Sequence, residues 1–368
     1  MTGVFRLLRK EVVISFCLWP FLFLRVVKVR MKEKEKLTMK AARDRLWGRW
    51  RPALLFNHAG LCRIKLMSLL CLFLVALVVI SRAASFMGWR HRLDSTQSLS
   101  RHRYTVLINT WKRNDLLKKT VAHYAQCNGV DAIRVVWSEP DPPSDSLYSE
   151  LSQSVVSSNV HEKHQKISFQ FDTHDKDDLN NRFKPLKGLH TDAIFSIDDD
   201  VVVPCALLEL SFSAWLTAPD SMVGFVPRMH WIESMNHAGE EEKYTYGGWW
   251  SVWWMGSYSM ILSKAAFVHH KYFELYTHQM PASIRHYVSE ARNCEDIAMS
   301  FLVANATSAP PLWVKGRLFE IGSTGISSLQ GHSEHRTQCV NHFVSVYGYM
   351  PLVASHVKVV DARNQWLW

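Results

Sequence analysis

Ala193-Ile-Phe-Ser-Ile197, followed at once by Asp198-Asp199-Asp200, decides how this chain is read. An apolar run of that length, without polar alternation, predicts a strand covered on both faces. The three carboxylates after it repel one another unless something positive shares them. Alternate residues at a strand end point the same way, so Asp198 and Asp200 can face one site while Asp199 turns aside. Oxygen ligands of this kind suit Mg²⁺ or Mn²⁺, ions that bridge to substrate phosphates. The same triplet also reads as a solvated acidic turn before a helix that begins near Pro204, and spacing alone leaves the two readings even.

Working outward, Tyr104-Thr-Val-Leu-Ile-Asn109 reads as a buried strand, and Asp115 to Cys127 as an amphipathic helix carrying Leu116, Leu117, Val121 and Tyr124 on a common face. Ala132-Ile-Arg-Val-Val-Trp137 and Ile167 to Asp172 are further strands, with Pro140-Asp-Pro-Pro143 a loop between them. Strands alternating with helices predict an α/β domain built on a mostly parallel sheet, with ligands at the carboxyl ends of its strands. Asn293 can cap a helix from Glu295 to Val303, with Glu295 and Asp296 in its first turn. Trp249-Trp-Ser-Val-Trp-Trp254 is the aromatic outlier. Such rings stack on sugars, prefer membrane interfaces, or fill a core. The His269-His270 pair lacks further ligands at fixed spacing and is not read as a metal site.

The formal charge of +10 invites a nucleic-acid reading that its distribution excludes. Residues 1–65 hold 16 Lys/Arg against 4 Asp/Glu, a balance of +12, leaving 27 against 29, or −2, for residues 66–368. The folded part is near neutral, so no nucleic-acid-binding face is implied. The basic arm precedes Leu66 to Ile80, which contains no charge; with Arg82 snorkelling, the apolar stretch reaches Met87. About 20 residues cross a hydrocarbon core, so 66–87 is expected to be a transmembrane signal anchor with the basic side cytosolic. A shorter apolar run, Val12 to Leu24, is interrupted by Pro20, and Met31 and Met39 offer later starts. Residues 88–103 read as a polar stem reaching at most roughly 50–58 Å, and 104–368 as a lumenal domain. Cys127, Cys205, Cys294 and Cys339 form an even lumenal set that permits disulfides without pairing them. Asn305-Ala-Thr307 is a glycosylation sequon.

Thr-Trp-Lys-Arg113, the aspartate triplet, Val223-Gly-Phe-Val-Pro-Arg228, Tyr258-Ser-Met260, Asn293-Cys-Glu-Asp-Ile-Ala298 and Arg336-Thr-Gln-Cys339 occur in the order in which they stand in glycosyltransferase family 64, the exostosin-like transferases. The chain resembles that family from Tyr104 to Trp368. Trp137-Ser-Glu-Pro, the tryptophan run, Glu320-Ile-Gly-Ser-Thr-Gly-Ile326 and the closing Trp-Leu-Trp368 resemble its small plant members, glycosyl inositol phosphorylceramide mannosyltransferases. The resemblance implies a GT-A fold, a Rossmann-like mixed sheet flanked by helices, and a single-pass type II protein of the Golgi membrane. It implies that Asp200 ligates Mn²⁺, with Mg²⁺ as the substitute. Arg113, Asn181, Arg182, Asp198, Asp199 and Arg336 would serve the nucleotide sugar, and Asp296 would be the catalytic carboxylate. Ser138 stands where the animal enzymes carry Asn, beside the nucleotide pocket, and suits guanine in place of uracil. Cys339 matches the partner of Cys294, which would hold Arg336 close to Asp296. Gly247, Trp249 and Trp250 are expected near the acceptor headgroup.

The expected activity is retaining, metal-dependent transfer of mannose from GDP-mannose to an inositol phosphorylceramide glycan, a sphingolipid headgroup. The alternatives are a UDP-N-acetylhexosamine transferase acting on glycan chains and a non-catalytic lumenal lectin or scaffold. The intact acidic and basic set argues against the last. A homo-oligomer is compatible with the sequence.

Overall fold

The computed structural model describes residues 58–86, 102–158, 166–233, 242–322 and 331–362; side chains of 58–64 and 82–86 are outside the description. The basic arm before residue 58, the apolar run Val12 to Leu24, the stem over 88–101 and the closing Trp366-Leu-Trp368 therefore lie outside the described residues. The chain divides into two compact units, 1–93 and 94–368.

In the first unit, helix α1 (His58–Phe86) runs unbroken for 29 residues, about 43 Å at 1.5 Å per residue. Its large side chains from Leu66 to Ile80 are exposed. Over the described residues no helix is long and apolar enough to cross a membrane; within α1 side chains are described only for 65–81.

The second unit is an α/β structure around an eight-stranded sheet in the order β13-β11-β6-β10-β4-β1-β2-β3. The strands are β1 (Tyr104–Thr110), β2 (Val130–Trp137), β3 (Ser168–Thr173), β4 (Ala193–Asp198), β6 (Val223–Gly224), β10 (Ala265–His269), β11 (Leu312–Val314) and β13 (Lys358–Val359). All neighbours are parallel except β10, which runs antiparallel to both β4 and β6. The apolar run of the triplet segment is thus the central strand, as its composition requires. Val106, Ile108, Ile133, Val135, Phe195 and Ile197 face one core, and Leu107, Val136, Ile194 and Ala266 face the other. This is period-two alternation of a sheet buried on both sides.

Helices α2 (Asn114–Tyr124), α3 (Asp145–Ser158) and α4 (Cys205–Thr217) cover the first face. The second is covered by α6 (Lys271–His278), α7 (Ala282–Ala291), α8 (Glu295–Thr307) and α9 (His332–Tyr347), after the short α5 (Trp249–Met255). A side sheet, β8-β7-β9, joins β7 (Pro227–Ile232), β8 (Tyr244–Gly247) and β9 (Met260–Ile261), and β5 (Val201–Val202) pairs antiparallel with β12 (Phe319–Glu320). The expected helix over 115–127 stops at Tyr124, where Cys127 leaves to form a disulfide with Cys205; the other bond is Cys294–Cys339. The second is the bond the resemblance implies. Both cores and both disulfides are made of residues from 104 onward.

Candidate active site

Strands β1 and β4 pair in register through Asn109 and Asp198, so both chains leave the sheet at one edge. The three aspartates then separate. Asp199 turns inward and is fully buried. Thr110 Oγ1 donates to its Oδ2 at 2.7 Å, Thr120 Oγ1 donates to its carbonyl at 2.7 Å, and its N–H donates to Asn109 O at 3.1 Å. Burial pushes its carboxyl above the ordinary range, opposed by Thr110 and Arg113. Asp199 therefore pins the turn, and its two neighbours are left partly exposed.

Arg113, at the start of α2, bridges two members of the triplet. Its Nη2 lies 2.5 Å from Asp199 Oδ1, and its Nη1 donates to Asp200 Oδ2 at 2.8 Å. The preceding Lys112 has φ 52°, a left-handed conformation that costs a non-glycine residue about 1 kcal/mol or more. Lys112 N–H is held by Glu139 Oε1 at 2.7 Å.

Asp198 is taken by Arg182, from a 3-10 turn at Leu179–Phe183. Arg182 is buried, donates to Ser263 Oγ at 3.1 Å and stands 3.6 Å from Glu295 Oε1. Burial lowers its pKa, while Glu295, Asp296, Asp199 and Asp200 oppose the shift. One guanidinium therefore senses both acidic clusters. The beginning of α8 and the end of β4 form one site.

The second half of the site is more enclosed. Asp296, in the first turn of α8, accepts from Arg336 Nη2 at 2.9 Å, and Arg336 Nη1 donates to Tyr246 OH at 3.1 Å. Both members of the ion pair are buried. Burial alone would lower the Arg336 pKa, but Asp296, Tyr246 and Glu295 together raise it, so the charge is fixed. Glu295 is shifted upward, first by burial and then by Asp296. The Cys294–Cys339 disulfide ties the start of α8 to α9 one turn after Arg336. Cys294 itself has φ 73°, a second left-handed residue immediately before site residues. His332, at the start of α9, is held below its ordinary pKa by burial and then by Arg336.

One expectation here needs correction. Asn293 does not cap α8: its Oδ1 accepts from Cys294 N, and Cys294 takes the capping position without a side-chain bond. Gly247 is buried, and a Cβ there would lie 2.6 Å from Met229 Cγ and from Trp231 Cζ3, so packing alone requires glycine at this position. Trp249 and Trp250 are exposed on α5. Asn181 is buried and donates to Ser138 Oγ at 2.9 Å and Lys176 O at 2.7 Å, while its buried Oδ1 has no protein partner. The Ser138 and Asn181 positions expected at the nucleotide are thus in contact. Asn305 is exposed near the end of α8, where Tyr349 OH donates to its Oδ1. Glu295, Tyr246 and Ser263 were not foreseen. Only Glu295 carried a signal, being the carboxylate next to Asp296 when Arg182 lacked an assigned counter-charge.

The donor chemistry fits a hard cation at the triplet. Gly322 closes over Asp200, and a Cβ on it would come 2.8 Å from Asp200 Cβ and 3.3 Å from Oδ2, so glycine keeps the carboxylate clear. The three carboxylates make no closed cage. Among the described residues the only group with three ligand atoms within 4.8 Å of one another is His123, Cys127 and Cys205, whose sulfurs form the disulfide. An open site of one or two carboxylates is the arrangement that Mg²⁺ or Mn²⁺ completes with water and substrate phosphate.

The family model of the glycosyl transferase family 64 domain matches residues 104–368, nearly all of the unit that carries these pairs. The chain belongs to glycosyltransferase family 64. It is 58% identical over 269 residues to glycosylinositol phosphorylceramide mannosyl transferase 1 of Arabidopsis thaliana, covering 73% of this chain and 79% of that protein. It is 30% identical over 283 residues to mouse exostosin-like 2, covering 73% and 80%. With human exostosin-2 it shares 33% identity over 270 residues, which is 71% of this chain but 33% of that longer protein. This family 64 member is a glycosyltransferase, and the two arginine–carboxylate systems lie within the shared domain.

Proposed function

We propose that this glycosyltransferase moves mannose from GDP-mannose to the glycan of an inositol phosphorylceramide, in a metal-dependent reaction that retains anomeric configuration. The observation that carries the donor and acceptor is the 58% identity over 269 residues with the plant mannosyl transferase. Asp200, with Asp198 beside it, would hold Mn²⁺, or Mg²⁺ in its place, against the donor diphosphate. A cation there supplies Lewis-acid neutralisation of the departing nucleotide. Arg113 and Arg182 hold the triplet's carboxylates apart, and a cation there would compete with these guanidinium contacts. The buried Asn181 Oδ1, lacking a protein partner, is available to a donor group next to Ser138. Asp296, fixed by Arg336, places a negative charge where an oxocarbenium-like sugar would develop.

The apolar stretch 66–87 is proposed as a type II signal anchor of the Golgi membrane, supported by the uncharged Leu66–Ile80 run and the unbroken α1. The basic residues before it mark the cytosolic side, and the disulfides and Asn305 belong to the lumen. The GT-A fold is supported by the acidic triplet at the carboxyl end of the central strand.

Donor hydrolysis by the full chain in detergent, measured across a panel of nucleotide sugars with Mn²⁺, tests the donor. GDP-mannose is expected to be consumed fastest. A preference for UDP-sugars overturns the mannosyl reading.

A further inference from the structure

Helix α5 spends its aromatic side chains on solvent. Trp250 is 76% exposed, Trp253 63%, Trp254 81% and Met255 51%, whereas Val252 between them is buried. Residues 250, 253 and 254 stand at helical spacings of three and four, so they share one face. The helix is nonetheless fixed in place. Gly256 ends it with φ 64°, and His356 Nδ1 donates to the Gly256 carbonyl at 3.2 Å. The Trp249 ring meets Trp313 edge-on at 5.7 Å, and Lys358 Nζ lies 5.6 Å from the centre of the Trp313 ring. Val357, beside Lys358, is 64% exposed.

Contiguous exposed apolar surface on a rigid element marks an interaction site. Tryptophan and methionine bordered by lysine match the water–bilayer boundary, where indole rings settle at headgroup depth and basic groups meet anionic lipid. A short amphipathic helix lying in the interface plane is a common form of such contact. Charge agrees: the exposed Lys358 reaches α5 through the Trp313 ring that Trp249 meets, and a basic group beside the tryptophans suits an anionic surface. Position agrees as well. Tyr246, whose hydroxyl accepts from Arg336, is three residues before Trp249 on the same continuous segment. Sixteen residues, 88–103, separate the apolar stretch from β1, a tether of at most roughly 50–58 Å that would permit this contact were that stretch embedded in the bilayer.

We propose that α5, with Val357 and Lys358, docks the catalytic unit onto an anionic bilayer surface. Trp250, Trp253 and Trp254 insert at headgroup depth, and the site beside Tyr246 is carried with them to the lipid plane. The proposal requires the membrane anchor only as a tether, and it does not depend on which sugar or acceptor the enzyme uses.

The test places a spin label on the full chain at Trp254→Cys, on the face that inserts, with Cys17, Cys62 and Cys71 replaced by serine. A control label at Gln153→Cys sits on an exposed position of α3. Both proteins are reconstituted in vesicles of phosphatidylcholine and phosphatidylserine, and relaxation by oxygen is compared with relaxation by an aqueous nickel chelate. The expected result is a several-fold excess of oxygen over nickel accessibility at 254 and the reverse at 153. Equal nickel accessibility at the two positions overturns the proposal. So does spin–spin broadening at 254 with neither relaxant admitted, which would show a second copy of the chain on this face. Neither result bears on donor hydrolysis, so failure here leaves the mannosyl reading untouched.

Discussion

Arg336 meets Asp296 at 2.9 Å and Arg113 meets Asp200 at 2.8 Å, yet the first pair is 8% and 6% exposed and the second 37% and 21%. Equal distances hide opposite duties. Water can replace the Arg113 contact of Asp200 at small cost while Arg113 stays on the buried Asp199, so Asp200 would be free to exchange that guanidinium for the proposed cation. Asp296 has no such freedom, because losing Arg336 would leave a bare charge in a buried site. The open pair suits a binding step that must be reversible. The closed pair suits a charge that must stay put while bonds change around it.

The largest effect expected from this contrast is on stability. Arg336→Ala should cost about 3–5 kcal/mol, read by denaturant unfolding of the full chain, because it strands Asp296. Asp200→Asn should cost under about 1 kcal/mol in the same measurement. Equal losses would erase the distinction. Next comes the covalent support of the closed half: replacing Cys294 and Cys339 with alanine should cost about 2–4 kcal/mol and leave the triplet's metal affinity unchanged. A fall in metal affinity would show that the halves are not separable. Gly247→Ala should cost about 1–3 kcal/mol by overpacking Met229 and Trp231, with the unfolding midpoint as readout. A neutral result would show that Met229 and Trp231 give way and that packing does not require the glycine.

The smallest effect is on pH. His230 pairs across the side sheet with Tyr246 of the closed half, and burial holds its pKa down at about 4 against the ordinary 6.5. The unfolded chain takes up this proton first, so its contribution is full above pH 6.5 and is lost as pH falls toward 4. Between pH 7 and 5.5 this one group should remove about 1 kcal/mol. His230→Gln should flatten that limb of the stability profile; an unchanged limb would mean that another group governs it.

The parts of this molecule that follow from local chemistry were legible in the sequence. The apolar run before Asp198 sits at the sheet centre because, the small Ser196 aside, both of its faces are apolar, and the inward turn of Asp199 follows from strand periodicity. Arg113, Asp200, Asp296 and Arg336 were named from motif order, and each stands in one of the two pairs. What could not be read was who shares a counter-charge with whom. Arg182 and Glu295 are more than one hundred residues apart, and their meeting depends on packing between the 3-10 turn and α8. The packing demand on Gly247 is not legible either, because a glycine required by close packing looks the same in sequence as one left open for a ligand. The left-handed Lys112 and Cys294 were hidden for a similar reason, since neither residue type announces a positive φ.

The central claim is that Asp200 binds the cation and Asp296 serves the chemistry without binding it. Titration of Mn²⁺ in the presence of GDP, followed by electron paramagnetic resonance on the full-length wild type, Asp200→Asn and Asp296→Asn, separates the two directly. The account predicts that Asp200→Asn loses Mn²⁺ affinity by about tenfold or more, equivalent to about 1.4 kcal/mol. Asp296→Asn should bind Mn²⁺ as the wild type does while transferring no sugar. Wild-type affinity in Asp200→Asn, or an equal loss in Asp296→Asn, would contradict it.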